Sequence, residues 1–293
     1  MIKCNSCPRS CGVVRKHSEF SNGYCGMPYN AVIARAALHF WEEPVISGKN
    51  GSGAIFFSGC SMRCMYCQNR EISHKKFGKT VSKDDFINIV KSLENQGAEN
   101  INLVNPTHFI PFIREALNEY KPSIPIVYNT GGYDCVESLK SLEGLIDIYL
   151  PDIKYFDSDV SKKYSDCSNY FEYASEAVLE MHRQIKENVF ENGIMKRGLI
   201  IRHLVLPKNT DQSVKILDWI DENLPKETYI SLMSQYTPCN RTYEYKELNR
   251  RIVSAEYSKV IKEFHRHGFI NGFMQDINSA DVEFIPKFDL TGV

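Results

Sequence analysis

From Gly53 onward, short apolar runs alternate with longer amphipathic ones, and this alternation limits the fold more than any other feature of the sequence. Residues 54–57, AIFF, read as a strand. Residues 82–97 read as a helix capped at Ser82, with Phe86, Ile89, Val90 and Leu93 on one face and Gly97 as its stop. Strand-like runs return at NINLV (100–104), IPIVY (124–128), LIDIYL (145–150), GLIIRHLVLP (198–207) and TYISLM (228–233). Helices are expected between them at 109–120, 158–166, 169–192 and 211–224, with a long final helix over 245–268. Strand followed by helix, about six times, implies parallel pairing through right-handed crossovers. An open doubly wound sheet and a full or partial barrel both satisfy the pattern, and both place chemistry at the C-terminal ends of the strands. The segments that follow the strands therefore carry the interest: the loop with Cys60 to Cys67, then NPTH, NTGGYD, PDIKY, RHLVLP and SQYTPCN.

The chain has 293 residues and ten cysteines. Its N-terminal stretch has no apolar signal region, and no run of 18 apolar residues occurs, so a cytoplasmic protein without a membrane span is expected. A net charge of −1 gives no general attraction to nucleic acid, and no such partner is expected. In a reducing compartment, clustered thiols bind metal or do redox work rather than form disulfides. Cys60, Cys64 and Cys67 share one loop with the spacing C-x3-C-x2-C. Three thiolates can ligate three irons of a cube-shaped cluster that usually takes four cysteines, so one iron keeps an open position. Zinc is the rival reading, although structural zinc sites want four ligands. Three inert buried cysteines would leave the spacing a coincidence.

The first 50 residues lack the alternation and read as a separate cysteine-rich extension, with 51–293 as the barrel domain. Cys4, Cys7, Cys11 and Cys25 supply four thiols within 22 residues, and Gly12, Gly23 and Gly26 permit tight wrapping. Four ligands in a core-poor segment suggest a closed metal site that substitutes for packing. Zinc and a second four-iron cluster both fit. Cys135, Cys167 and Cys239 read as packed small hydrophobes, Cys239 alone lying on a strand-end loop. His39, Glu42 and Glu43 read as a polar linker over the barrel mouth, and GSG at 51–53 as a turn.

The stretch CSMRCMYC, with Tyr66 just before its last cysteine, resembles the signature of the radical S-adenosylmethionine (SAM) superfamily. GCSMRCMYCQN is similar to the activating enzyme of pyruvate formate-lyase. CPRSCGVVR, GYCG, EEPVISGKNGSGAIFFSGC, YNTGGYD, DIYLPDIKY, IRHLVLP and MSQYTP together look closer still to the activase-like branch called PflX-like, and they extend the resemblance over almost the whole chain. The resemblance implies an α/β fold, a partial (β/α)6 TIM-like barrel, here preceded by the cysteine-rich metal-binding extension. It implies a [4Fe–4S] cluster on Cys60, Cys64 and Cys67 whose open iron chelates SAM. One electron from the cluster then yields methionine and a 5′-deoxyadenosyl radical that abstracts hydrogen from a polypeptide substrate. Radical modification of a peptide or small molecule is the second reading, and an iron–sulfur redox or binding protein without turnover is the third. A low-potential donor of the flavodoxin or ferredoxin type is the implied electron partner.

The resemblance also assigns residues. Activases bind the SAM amino group through Gly-Gly-Glu after the second strand. The matching place here is NPTH, which has no carboxylate, so Asn105, Thr107 or His108 would meet the ammonium through an oxygen or a neutral imidazole nitrogen. PDIKY matches the Asp-x-Lys motif. Asp152 and Lys154 alternate along an extended backbone and so share a face, Lys154 toward the SAM carboxylate and Asp152 toward a cation or the ribose. Asn129 and Thr130 belong near the same cation or SAM. Arg202 points toward SAM, and His203, next in the strand, points the other way. Gln235 and Tyr236 are candidates for adenine or substrate contacts.

Overall fold

The computed structural model describes residues 2–277 and 286–293; residues 278–285 of the expected barrel domain lie outside the described residues. In chain order the strands are β1 (Ile2–Lys3), β2 (Val14–Arg15), β3 (Val32–His39), β4 (Ser52–Phe57), β5 (Lys79–Thr80), β6 (Ile101–Val104), β7 (Ile126–Thr130), β8 (Ile148–Pro151), β9 (Val189–Glu191), β10 (Ile194–Leu204), β11 (Tyr229–Met233) and β12 (Gly272–Met274). The helices are α1 (Pro44–Ser47), α2 (Arg70–Ser73), α3 (Lys83–Asn95), α4 (Ile110–Glu119), α5 (Val136–Lys140), α6 (Ser158–Ser165), α7 (Tyr170–Ile185), α8 (Thr210–Asn223) and α9 (Ser254–Arg266).

β1 and β2 form a small antiparallel hairpin. The main sheet runs in the order β12-β11-β10-β8-β7-β6-β4-β3-β5, with β9 paired to β10. From β4 through to β12, neighbours along this path are parallel. Each parallel strand thus lies beside its predecessor, with no reversal of order. That is the winding of a β/α barrel and not of a doubly wound sheet, whose order reverses at a switch point. Among the described residues β12 does not pair back to β3, so the barrel is partial.

α3 forms where the sequence caps it. Ser82 Oγ accepts the Asp85 N–H at 3.1 Å while Asp85 accepts the Ser82 N–H at 3.2 Å, a reciprocal cap of about 1 kcal/mol that starts α3. Gly97, at φ +82°, ends it, and Phe86, Ile89, Val90 and Leu93 face the sheet as the periodicity requires. The strands alternate likewise. Ile101, Leu103, Ile126 and Tyr128 pack outward against the helices. Val127, Ile148, Leu150 and Ile200 point the other way and meet Ile46 of α1, a fill of about 1.5–3 kcal/mol per side chain that closes the bottom of the barrel. Further along these same inward rows the residues become polar: Asn129, Asp152 and Arg202. The site is therefore built on the upper layer of a packed interior.

Several elements depart from the expectations. The helix expected over 169–192 stops at Ile185, and β9 and β10 follow as a hairpin whose two-residue turn, Asn192 (φ +52°) and Gly193 (φ +81°), has the left-handed backbone that Asn-Gly supplies. The final helix begins at Ser254 and not at 245, because the intervening segment is held by tertiary bonds: Tyr236 Oη to the Leu248 carbonyl at 2.7 Å and Tyr164 Oη to Glu247 at 2.8 Å. β12 adds a seventh parallel strand. β3, inside the residues assigned to the extension, pairs antiparallel with β4, so the main sheet begins before residue 50. The edge of β3 is covered in turn by residues 290–291, through Ala36 N–H to Thr291 O at 2.8 Å and Leu290 N–H to Ala34 O at 3.0 Å.

Candidate active site

The ends of six parallel strands open onto one cavity. The loop after β4 contributes Cys60, Cys64 and Cys67. Asn105 and Thr107 come from beyond β6, Asn129 and Thr130 from the end of β7, Asp152 and Lys154 from the end of β8, Arg202 from β10, and Gln235 and Tyr236 from beyond β11. The structure thus brings together residues from Cys60 to Tyr236, because each lies near or just beyond the C-terminal end of its own strand.

The cysteine loop is shaped by backbone that few residues tolerate. Gly59 has φ +81°, and a Cβ there would collide with Met27. Arg63, between the first two cysteines, has φ +58°. Cys60 Sγ accepts N–H groups from Met62 at 3.3 Å and Arg63 at 3.5 Å, and Cys67 Sγ accepts the Ser73 hydroxyl at 3.4 Å. Burial raises the Cys64 thiol, Lys154 opposing it, and burial together with Cys64 pushes Cys67 up to about 12. Such thiols ionise only against added positive charge, which a bound metal supplies. Among the described residues no histidine lines the cavity, so its thiols are a sulfur-only donor set of three facing open space. That set fits a four-iron cluster with one iron open to a small ligand, and fits a closed zinc site poorly.

The opposite wall is a buried charge network. Asp152 and Arg202 face each other across β8 and β10. Arg202 Nε donates to Asp152 at 2.9 Å and Nη2 to Asn129 Oδ1 at 2.6 Å, and Nη1 reaches Glu42 Oε2 at 3.2 Å. Glu42 Oε1 also accepts the side-chain amides of Asn102 at 3.0 Å and Asn129 at 3.2 Å. Lys154 Nζ contacts the remaining oxygen of Asp152. Burial alone would raise the Asp152 carboxyl, but Arg202 and Lys154 outweigh it and hold the group below the usual carboxylate range. Burial would likewise lower Lys154, and Asp152 outweighs it. Glu42 and Glu43 differ: burial raises both carboxyls, and Arg202 offsets this only in part. One oxygen of Glu43 is buried without a hydrogen-bond partner. Glu42, read from sequence as part of a polar linker over the barrel mouth, is bonded directly to Arg202 and Asn129 of the site. An acidic doublet between the apolar pair FW and the run PVI was the available signal.

Asn105 and Thr107 line the cavity, whereas His108 does not. Asn105, at φ +62°, donates its side-chain amide to the Gly59 carbonyl at 2.7 Å, and Thr107 Oγ1 lies 3.2 Å from Thr130 Oγ1. These residues enter a 3-10 turn, Thr107–Phe109, where consecutive side chains diverge by a third of a turn. His108 therefore points behind the loop, donates from Nε2 to the Ser58 carbonyl at 2.7 Å, and is held neutral by burial and Arg15, its pKa lowered to about 3. Of the three NPTH candidates, Asn105 and Thr107 thus face the cavity and His108 faces away from it. His203 is also packed away, bonded to the Ile153 carbonyl at 2.6 Å and to Ser213 at 2.8 Å beneath α8. Cys4, Cys7, Cys11 and Cys25 lie outside the cavity, behind the cysteine loop: Arg9 Nε donates to the Ser61 carbonyl at 2.8 Å and Tyr24 Oη to the Met62 carbonyl at 3.2 Å.

The family model described as the radical SAM superfamily matches residues 54–220, from β4 through α8 and including the cysteine loop. The chain belongs to the radical SAM superfamily. It is 31% identical over 269 residues to the uncharacterized protein MJ0674 of Methanocaldococcus jannaschii, a match that covers 88% of this chain and 73% of that one. The structure of Streptococcus suis SuiB bound to the precursor peptide SuiA is similar at a TM-score of 0.53 and 11% identity, over 76% of this chain and 48% of SuiB. SuiB bound to S-adenosylmethionine gives 0.53 at 10% identity, over 77% and 50%. At these identities the likeness is one of fold, and this chain spans about half of SuiB. Radical SAM membership makes the chain an enzyme and implies a [4Fe–4S] cluster and SAM as its cofactors. Among the described residues, no helix is long and apolar enough to cross a membrane.

Proposed function

We propose that this radical SAM enzyme abstracts hydrogen from a polypeptide, in the manner of the activating enzymes its sequence resembles. The observation that carries the proposal is that three thiols and a buried Asp152–Lys154–Arg202 network face each other across one cavity. Cys60, Cys64 and Cys67 would hold the cluster. The cluster and SAM together supply reductive cleavage of SAM, and with it hydrogen-atom abstraction. The chain's own residues bind and orient. Lys154 and Arg202 offer cationic donors to a carboxylate, and charge-assisted bonds of this kind are about twice as strong as neutral ones. Asp152, kept ionised by its partners, suits hydroxyls or an ammonium. Asn105 and Thr107 offer oxygens to the amino group, and Gln235 and Tyr236 flank the far side, where a planar base would rest. The PflX-like resemblance and the peptide on SuiB support a polypeptide at the mouth, with a flavodoxin- or ferredoxin-type protein as electron donor.

Anaerobic protein reconstituted with iron and sulfide, then given dithionite and SAM, is expected to release 5′-deoxyadenosine and methionine in equal amounts. Cys64→Ala is expected to abolish both. Cluster-loaded protein that releases neither would leave only an electron-transfer role. To find the hydrogen donor, the same reaction is run with perdeuterated cell extract split by size. Deuterium entering 5′-deoxyadenosine from the macromolecular fraction supports a polypeptide. Transfer from the small-molecule fraction alone would overturn that part.

A further inference from the structure

We infer that Cys4, Cys7, Cys11 and Cys25 form a second, closed metal centre with four thiolate ligands, which holds the N-terminal lobe against the Cys60–Cys67 loop. The backbone already gathers these residues. In the β1–β2 hairpin the Cys4 N–H bonds the Val13 carbonyl at 2.9 Å and the Gly12 N–H bonds the Cys4 carbonyl at 3.0 Å. A turn from the Cys7 carbonyl to the Ser10 N–H, at 3.0 Å with Ser10 at φ +41°, leads into Cys11. Cys11 Sγ accepts the N–H of Tyr24, the neighbour of Cys25, at 3.3 Å. All four cysteines are free thiols, so no disulfide explains the arrangement.

Two further observations point to a ligand. First, Cys4 and Cys7 are 6% exposed yet belong to none of the apolar clusters, so hydrophobic packing does not account for their burial. Second, Arg15 is also 6% exposed and makes no ion pair with a carboxylate among the described residues. Its Nη2 donates to Cys25 Sγ at 3.0 Å, Nη1 to the His108 carbonyl, and Nε is buried without a partner. A buried guanidinium with no carboxylate beside it is a charge without a counter-charge. Four thiolates around a doubly charged core, whether a zinc ion or a four-iron cluster, carry net negative charge and supply one. Among the described residues no three His, Cys, Asp or Glu side chains already converge on a metal-sized point. This is equally true of Cys60, Cys64 and Cys67, so it does not separate the two sets.

The test uses full-length protein purified anaerobically, with zinc, iron and sulfide measured per chain. In Cys64→Ala, where the active-site cluster is lost, one further centre is expected to remain, as one zinc or as four irons with matching sulfide. Failure of the radical SAM reading would show only in wild type, as absent SAM cleavage, and would leave this arm intact. In Cys64→Ala, Cys4, Cys7, Cys11 and Cys25 should resist alkylation together and become reactive together when a chelator strips the metal. Adding Cys4→Ala and Cys7→Ala should remove the residual metal. If these variants fail to fold, the alkylation pattern alone decides. A Cys64→Ala protein with neither zinc nor iron near stoichiometry, or one whose four thiols alkylate at different rates without metal release, overturns the inference.

Discussion

At the level of single residues, the telling contrast is between charged groups the sequence reveals and one it hides. Asp152 and Lys154 are legible because their alternation along an extended backbone at the end of a strand puts them on one face, and Arg202 because the family resemblance marks it. Glu42 is not, because the segment from 40 to 47 has no periodicity; only tertiary packing carries it to Arg202 and Asn129. Glu42→Gln would set an amide against the Arg202 guanidinium and free Arg202 to turn. SAM binding, measured by calorimetry on cluster-loaded protein, is expected to weaken about tenfold, or ~1.4 kcal/mol, with cluster content unchanged. Equal affinity would make Glu42 a packing residue only. Glu43 gives a prediction in pH. Its carboxyl is raised by burial, so the native state holds that proton more tightly than the unfolded chain does. Its contribution to stability is therefore complete below the unfolded value of about 4.3 and is lost as pH rises through the higher native one. Glu43→Gln removes this dependence and should raise the melting temperature relative to wild type at pH 8, with the gap closing as pH falls toward 5. His108 and His203, both held neutral by burial, pull wild-type stability the opposite way below about pH 6.5, so the difference between the two proteins is the informative quantity.

Elements were read correctly where hydrophobic period and length agreed, and misread where local propensity and tertiary context disagreed. Six strands and the Ser82-capped helix follow directly from the alternation. The residues from 186 to 192 follow a run of strong helix formers that predicts a continuing helix, although Asn192-Gly193 demands a turn. Residues 245–253 are rich in helix formers too, yet Glu247 is held by Tyr164 and Leu248 by Tyr236 in an irregular run. Two glycines in turns separate backbone cost from packing cost. Gly193 (φ +81°) and Gly132 (φ +82°) share a left-handed backbone, but a Cβ on Gly193 meets nothing within 4 Å, whereas one on Gly132 lies 2.1 Å from the Asp152 carbonyl oxygen and 2.9 Å from Tyr170 Oη. Gly193→Ala should cost about 1 kcal/mol, the ordinary penalty for the conformation. Gly132→Ala should cost more than ~3 kcal/mol in urea unfolding, since the end of β8 must move, and it should depress SAM cleavage even in the folded fraction. Similar losses for both would show that the β7 and β8 ends have slack.

At the scale of the whole molecule, the N-terminal lobe and the barrel are joined at the cluster loop. Met27 packs where Gly59 has no side chain, and Cys25, Met27 and Tyr29 share one core with the helices α3 and α4. Sequence alone drew a boundary at residue 50 because the alternation starts there. It could not show that β3 would join the sheet, since an antiparallel edge strand has no helix to announce it. Arg9 is a link that can be cut without removing a thiol ligand or a residue that lines the cavity. Its guanidinium stacks on Tyr24 at 3.8 Å, donates to the Ser61 carbonyl at 2.8 Å and reaches Cys167 Sγ at 2.9 Å. A stacked, partly desolvated arginine with two such bonds contributes on the order of 1–2 kcal/mol to holding the loop. Arg9→Ala should therefore fold and, without oxygen, assemble a cluster on Cys60, Cys64 and Cys67 as wild type does. Opening of the loop should become roughly tenfold more frequent, by the relation of tenfold per ~1.4 kcal/mol. Loss of cluster absorbance in air should accelerate by a comparable factor, while hydrogen exchange rises at residues 59–67 and not in α8. Unchanged decay in air would mean that the lobe rests on the loop without restraining it, and that the barrel alone keeps Ser61 and Met62 in place.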